Sequence, residues 1–485
     1  MMSDGKKLML FSHVCNTRNI TGAEKLLFFI ARKLSAHFEC TIVAPNEGRL
    51  TQLARGSELR VIIMETPMIY GMCFPYENLI QDVEDMGSNH ATAKMVALLK
   101  EENPDYVFVN TCVNVIPAMA AKHLGIPVIW HITEIVQNNG FINNSVWIIN
   151  KYSDWILGIS ESTLAPFKDS PMEEKLSLLY PSWESGEFQP AHWPKLRRRK
   201  RWEWGINPRQ KVIGYISSFL VKDKGPEHFV KTAISIGKQY PESRFVIIGA
   251  KVDRSFYRSL KQSAKDAGLS KHFIFIECEL SIEAAYCAMD IVIVPSLLNE
   301  GFGMTAMEAM IFGKPVVAYA SGGLKEILES TGSGDYLAPT GDIEVLTAKV
   351  SGLLQSTDMM EKVGLENQIQ VEAKFGSSVY EDRFMQFVEC IYQLKGNQIP
   401  LTVVQLLPTK HDIASPGIAT RKKRGRERRI RITKKRLRRR HSGKRRVVHA
   451  RKSSHKKLIR RSEKLARSRK QVRRRSNSTR QGVRI

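Results

Sequence analysis

The sequence predicts an α/β protein built from two doubly wound parallel sheets, followed by a basic C-terminal extension. Three observations predict it. Short β-branched runs alternate with amphipathic segments of helical period along the first 396 residues, the pattern of strand–helix–strand units. That alternation loosens once, between Tyr180 and Pro208, and then restarts. Beyond residue 420 the apolar periodicity stops and arginine and lysine take over.

The first series begins with Leu8–Phe11, followed by a long polar turn, Ser12 to Ile20. Thr21-Gly22-Ala23-Glu24 has the spacing of a capping box, and Leu26, Leu27, Phe29, Ile30 and Leu34 continue it at helical period. Strands are expected at Thr41–Ala44, Arg60–Met64, Tyr106–Asn110, Val128–Ile132 and Trp155–Ile159, with Asn103-Pro104-Asp105 and Gly125-Ile126-Pro127 as breakers. Residues 1–180 form the first domain and residues 181–210 the crossing. The crossing holds prolines, tryptophans and the basic run Arg197-Arg198-Arg199-Lys200-Arg201, read as a solvated linker face in preference to a contact with an anionic partner. Residues 211–375 form the second domain. Its strands are Val212–Ile216, Arg244–Ile248, Phe273–Ile276, Ile291–Val294 and Val316–Tyr319, and its clearest early helices are Gly225–Lys238 and Ile282–Met289. A terminal helix within 376–396 packs back, and 397–420 is a linker.

The most informative stretch is 291–328. A buried strand ends at Pro295, a glycine-bearing turn follows, and a helix starts near Thr305 and stops at Gly313 and Pro315. Glu300 and Glu308 bracket that turn and the first helical turn. In open α/β sheets ligands bind beyond the C-terminal ends of the strands, where this turn must lie. Helix-start N–H groups favour an anion and carboxylates accept from hydroxyls, so the pair suits a ligand carrying phosphates and sugar hydroxyls.

Charge is unevenly distributed. Residues 421–485 hold 32 of the 74 Lys+Arg and two of the 48 acidic residues, a net +30, which leaves −4 for residues 1–420. The tail lacks aromatics and sustained apolar periodicity, so it is expected to be disordered on its own and to seek polyanions: an anionic membrane, a coat polymer or nonspecific nucleic acid. Without aromatic interleaving there is no basis for base stacking. Seven scattered cysteines without C-x-x-C spacing read as free thiols in a reducing compartment. No apolar run reaches the ~20 residues of a membrane span. The expected location is the cytoplasm, either free or peripheral to a membrane or surface assembly.

The run Asn299 to Met310, NEGFGMTAMEAM, followed by Gly313-Lys314-Pro315-Val316-Val317-Ala318, resembles the donor-site signature of retaining glycosyltransferases of family 4. Thr21–Glu24, Trp130-His131, Ser160-Glu161, Lys222-Asp223-Lys224-Gly225-Pro226 and Gly322–Glu326 match in order, and the likeness covers about residues 8–396. The resemblance implies the GT-B fold, two Rossmann-like domains facing a cleft, and transfer of a sugar from a nucleotide-diphosphate sugar to a glycan or lipid-linked acceptor with retained configuration. It implies that Glu308 accepts from the ribose hydroxyls and that Glu300 contacts the transferred sugar. Gly301, Phe302, Gly303, Met304 and Thr305 would bring backbone N–H groups to the sugar and diphosphate, and Gly22 would face them from the first domain. Lys224, with Lys222 beside it, would balance the leaving diphosphate, and His131 would contact the donor sugar. The plainer readings are a capping box for Thr305 and Glu308, a loop carboxylate for Glu300, a routine helix start for Gly22 and a core histidine for His131.

There are departures. Phe219 stands where the family commonly has an arginine, and Thr133-Glu134 where it often has a second histidine or an aspartate. No Asp-x-Asp metal motif occurs, so neither a metal nor a cofactor is expected beyond the donor. The rival expectations are a structural protein of spore-coat type with a GT-B body tethered by its tail, and another reaction on a nucleotide-sugar, such as epimerisation.

Overall fold

The computed structural model describes residues 5–399 apart from 18, 169 and 185. The basic extension, 421–485, and most of the linker before it lie outside the described residues.

Two wholly parallel sheets organise the chain. The N-terminal sheet has seven strands in the order β3-β2-β1-β4-β5-β6-β7, with β1 Lys7–Phe11, β2 Glu39–Ala44, β3 Arg60–Ile63, β4 Tyr106–Asn110, β5 Val128–Ile132, β6 Trp155–Gly158 and β7 Leu176–Leu178. The C-terminal sheet has six in the order β10-β9-β8-β11-β12-β13, with β8 Val212–Leu220, β9 Arg244–Lys251, β10 Phe273–Ile276, β11 Ile291–Val294, β12 Val316–Tyr319 and β13 Leu337–Ala338. In each sheet the order reverses beside the first strand, between β1 and β4 and between β8 and β11. The crevices where such folds hold ligands open there.

Both faces of each sheet are covered, so the strands read as unbroken apolar runs. Along β11, Ile291 and Ile293 enter the core on one side and Val292 and Val294 the core on the other. In β4, Val107 and Val109 oppose Tyr106 and Phe108 in the same way. The edge strands β7 and β13 escape the sequence reading because three and two residues cannot display a period. The helix Ser377–Gln393 packs Tyr380, Phe384, Phe387 and Ile391 into the N-terminal core beside Leu27, Ile30 and Leu34.

The basic run in the crossing is solvated only in part: Arg198 and Arg199 are exposed, whereas Arg197, Lys200 and Arg201 turn inward. It lies on the helix Trp193–Glu203, where Arg201 is buried and Arg197 reaches Asp290 at 2.5 Å. The Lys200 ammonium is shared between Glu203 at 2.8 Å and Glu279 at 3.1 Å. Arg197 also donates to the Cys287 and Met289 carbonyls. Glu203 belongs to the same helix, but Asp290, Glu279 and the two carbonyls come only with packing against the C-terminal half, so Arg197, Lys200 and Arg201 act as a clamp. A second buried ion pair, Lys122 with Asp154 at 2.6 Å, sits under the N-terminal sheet, and Asp154 also accepts the Val128 N–H at 2.9 Å. Among the described residues no helix is long and apolar enough to cross a membrane.

Candidate functional site

The turn after β11 is assembled by three neighbouring loops. The Leu297 N–H donates to the Asp223 carbonyl at 2.8 Å, which ties it to the Lys222–Lys224 turn. Glu300 bridges to Gly322, and the Gly323 N–H donates to the Glu300 carbonyl at 2.7 Å. The third tie comes from the N-terminal half, where the Ser160 hydroxyl donates to the Gly301 carbonyl at 2.5 Å. Gly301 approaches so closely that a Cβ there would lie 2.1 Å from the Thr133 carbonyl oxygen, a position only glycine can occupy.

The helix runs from Met304 to Ile311, and its N-cap is Gly303 at a φ of 114°. Thr305 therefore lies inside the first turn, and the capping box considered for Thr305 and Glu308 does not form. Glu308 points elsewhere: one oxygen accepts from Lys25 of the N-terminal half at 3.1 Å, the other from the Tyr286 hydroxyl at 2.8 Å. The Glu308 carboxylate holds the Lys25 ammonium above its usual pKa, and burial with that same charge pushes the Tyr286 phenol well up. Glu300 is gripped by Lys224, whose ammonium lies 2.7 and 2.8 Å from its two oxygens. Lys222 is exposed beside this pair. Phe302 is buried, with its ring near those of Tyr180 and Phe375, so its backbone is the part that faces the turn.

Across the cleft, Thr21 caps the helix Gly22–Leu34 in a full capping box with Glu24. A Cβ on Gly22 would stand 3.9 Å from the Met304 side chain, so the starts of two helices from opposite halves meet at one place. Two sets of unpaired N–H groups thus converge beside three acid–base side chains. This arrangement can hold a dianion at the helix starts while carboxylates accept from hydroxyls on either side.

His131 is placed differently. It is 3% exposed, its Nδ1 lies 2.9 Å from the Asn110 amide oxygen, and burial pulls its pKa down to about 3. It lines a small gap with Leu26, Ile159 and Tyr180, and no contact links it to Glu300 or Lys224. The geometry there is that of a neutral core histidine. Where the sequence has Thr133-Glu134, the Glu134 carboxyl accepts the Cys112 N–H at 3.2 Å, and burial raises its pKa. Phe219 pairs with Ala250 after a bulge that follows Ile216 in β8.

Lys25 and Tyr286 escaped the sequence reading. Lys25 lies 283 residues from its partner, and no local pattern announces the pairing. Glu326 is a further strut between the halves: it accepts from the Glu161 and Ser162 N–H groups at 2.9 and 3.1 Å and from the Tyr180 hydroxyl at 2.7 Å. Among the described residues no group of three or more His, Cys, Asp or Glu is placed to hold a metal ion.

Two facing Rossmann-like domains with parallel sheets and a cleft between them define the GT-B fold. The same fold is seen in Anabaena HepE solved with UDP-glucose, which superposes with a TM-score of 0.64 at 20% identity over 80% of this chain and all of that one. Residues 197–369 match the family described as Glycosyl transferases group 1. The 2-deoxystreptamine N-acetyl-D-glucosaminyltransferase of Streptomyces fradiae is 25% identical over 200 residues, 40% of this chain and 46% of that protein. The D-inositol 3-phosphate glycosyltransferase of Corynebacterium glutamicum is 31% identical over 159 residues, 31% of this chain and 37% of that protein. The chain thus spans less than half the length of these curated relatives.

Proposed function

We propose that this protein is a glycosyltransferase that moves a sugar from a nucleotide-diphosphate sugar to a glycan or other surface acceptor with retention of anomeric configuration. One observation carries the reading. The Lys224–Glu300 pair and Glu308 flank a glycine turn at a helix start, and the start of the Gly22–Leu34 helix meets that turn from the other half. The family match over 197–369 and the transferase names of the relatives support it.

The diphosphate lies between the two helix starts, and the ribose diol takes Glu308 oxygens that Lys25 and Tyr286 occupy without donor. Glu300 accepts from hydroxyls of the transferred sugar, and Lys224 beside it faces the diphosphate once the donor is bound. The bond from the anomeric carbon to the diphosphate oxygen breaks, and the acceptor oxygen bonds that carbon on the same face. The acceptor proton passes to the leaving phosphate oxygen. Developing negative charge on that oxygen meets Lys224 and backbone N–H groups already in place, so little reorganisation is needed during the reaction. The donor is the only small molecule this scheme needs, and no step passes through His131. The polybasic residues 421–485 supply a polyanion tether. No observation among the described residues favours the scaffold alternative.

The test has two arms. A thermal-shift screen of UDP-, GDP- and ADP-sugars identifies the donor. Glu300→Ala and Glu308→Ala then each lower transfer of labelled sugar by roughly 100-fold, the scale of a lost transition-state contact. Wild-type rates in either variant would remove these residues from the site.

A further inference from the structure

The N-terminal half carries a cluster of exposed rings that the donor site does not use. Tyr70, Phe74, Tyr76, Phe141 and Trp147 are between 39% and 63% exposed. They come from two segments laced together by hydrogen bonds. The Gln137 N–H donates to the Cys73 carbonyl at 2.9 Å, the Asn139 amide to the Pro75 carbonyl at 2.7 Å, and the Asn144 amide to the Tyr76 carbonyl at 2.8 Å. Trp147 lies one helical turn beyond Asn144, and the Tyr76 ring packs over Gly71, next to Tyr70. Monomeric proteins seldom leave so many large rings together in water without a use for them.

The segments that carry the rings are tied to the turn at Gly301 through buried and half-buried residues. The Cys73 thiol lies 3.1 Å from that of Cys112, just past the end of β4, and Cys112 donates its N–H to Glu134, just past the end of β5. Thr133, between β5 and Glu134, is the residue against which Gly301 packs. Thr111, at the same strand ends, is a β-branched residue held at a φ of 75°, and its hydroxyl is buried without a partner. Strain and unpaired hydroxyls of this kind gather at binding sites.

The charge around the rings selects the partner. Residues 65–85 contain five carboxylates and no lysine or arginine, and residues 137–150 contain five asparagines, one glutamine and no charge. The nearby cation, Lys151, is spent on Glu84 at 2.7 Å and on the Trp147 ring at 4.6 Å. An anionic leaflet or polymer is repelled by such a surface. The axial C–H groups of an uncharged sugar are attracted instead, because they meet the negative faces of the rings while amides and carboxylates bind the hydroxyls. We propose that this aromatic rim is the docking surface for an uncharged oligosaccharide acceptor. The acceptor role rests on the glycosyl-transfer reading; the oligosaccharide binding does not.

The test compares the full chain with its Tyr70→Ala/Phe74→Ala/Trp147→Ala variant by calorimetric titration of maltohexaose, cellohexaose and chitohexaose. Phosphatidylcholine vesicles serve as the membrane probe. At least one hexaose binds the wild type, and the triple variant weakens that binding by about tenfold or more. Phe74→Ala alone moves it in the same direction by less, and thermal shifts with nucleotide-sugars stay unchanged in both variants. Failure of every hexaose to bind, full affinity in the triple variant, or vesicle binding that depends on these rings would overturn the proposal. A wild type that binds a hexaose but no nucleotide-sugar would instead remove the transferase reading and leave the docking surface standing.

Discussion

Replacing Gly301 by alanine tests how the two halves cooperate. The added Cβ would lie 2.1 Å from the Thr133 carbonyl oxygen, 3.0 Å from its carbon and 3.3 Å from Ile159 Cδ1. The first distance is about 1.3 Å short of the 3.4 Å at which ordinary contact begins, and backbone cannot rotate aside as a flexible side chain does. Either the turn or the end of β5 must retreat by about that amount, and the Ser160 hydroxyl then loses its 2.5 Å bond to the Gly301 carbonyl. Overpacking at such a contact costs about 1–3 kcal/mol. In the proposed reaction this turn lies beside the reacting carbon, where a displacement of about 1 Å costs on the order of 100-fold in rate. The assay is transfer or hydrolysis of labelled donor sugar by the full chain, with melting temperature followed in parallel. Gly352→Ala, where nothing lies within 4 Å of the new Cβ, is the control and leaves both unchanged or slightly improved. A Gly301→Ala variant with wild-type kcat/KM and melting temperature would refute the reasoning that this contact sets the glycine turn of the proposed donor site.

Three further predictions concern groups away from the chemistry. Burial pulls the Lys314 pKa from 10.5 down to about 8, with the Arg197 charge adding to it. The folded chain therefore binds this proton less tightly than the unfolded chain, and wild-type stability rises between pH 8 and 10.5. Lys314→Met gains on the order of 3 kcal/mol at pH 7, less any packing loss, and the gain fades toward pH 10.5 in urea denaturation; a gain equal at both ends would contradict this origin. Lys122→Met leaves Asp154 buried without its cation and lowers stability by about 3–5 kcal/mol in the same assay, whereas a loss below ~1 kcal/mol would mean that the Val128 N–H suffices. Diamide joins Cys73 and Cys112 into an intramolecular disulfide, read as a mass loss of about 2 Da that Cys73→Ser abolishes; a wild type that stays reduced would show that the thiols cannot turn to face each other.

Much of the fold was legible because parallel strands buried on both faces leave unbroken apolar runs such as Ile291–Val294, and capped helices leave marks such as Thr21–Glu24. The strands β7 and β13 were illegible because their pairing, not their composition, makes them strands. At the site, Glu300, Glu308, Lys224 and the glycine turn were visible as a local motif. Lys25 and Tyr286 were not, because they reach Glu308 only after the chain has folded. Arg197, Lys200 and Arg201 of the basic run misled for the same reason, since Asp290 and Glu279 are distant in sequence.

The sequence by itself determined the two doubly wound sheets, the location of the glycine-turn motif with its two glutamates and the separation of a mildly acidic body from a basic extension, because period, capping and charge are local properties. The tertiary structure decided which groups face each other. It set Lys224 on Glu300, brought Lys25 across to Glu308, withdrew His131 into the core and laced five exposed rings into one rim. Those are contacts between residues tens to hundreds of positions apart, and only the closed packing of the two sheets brings them within reach.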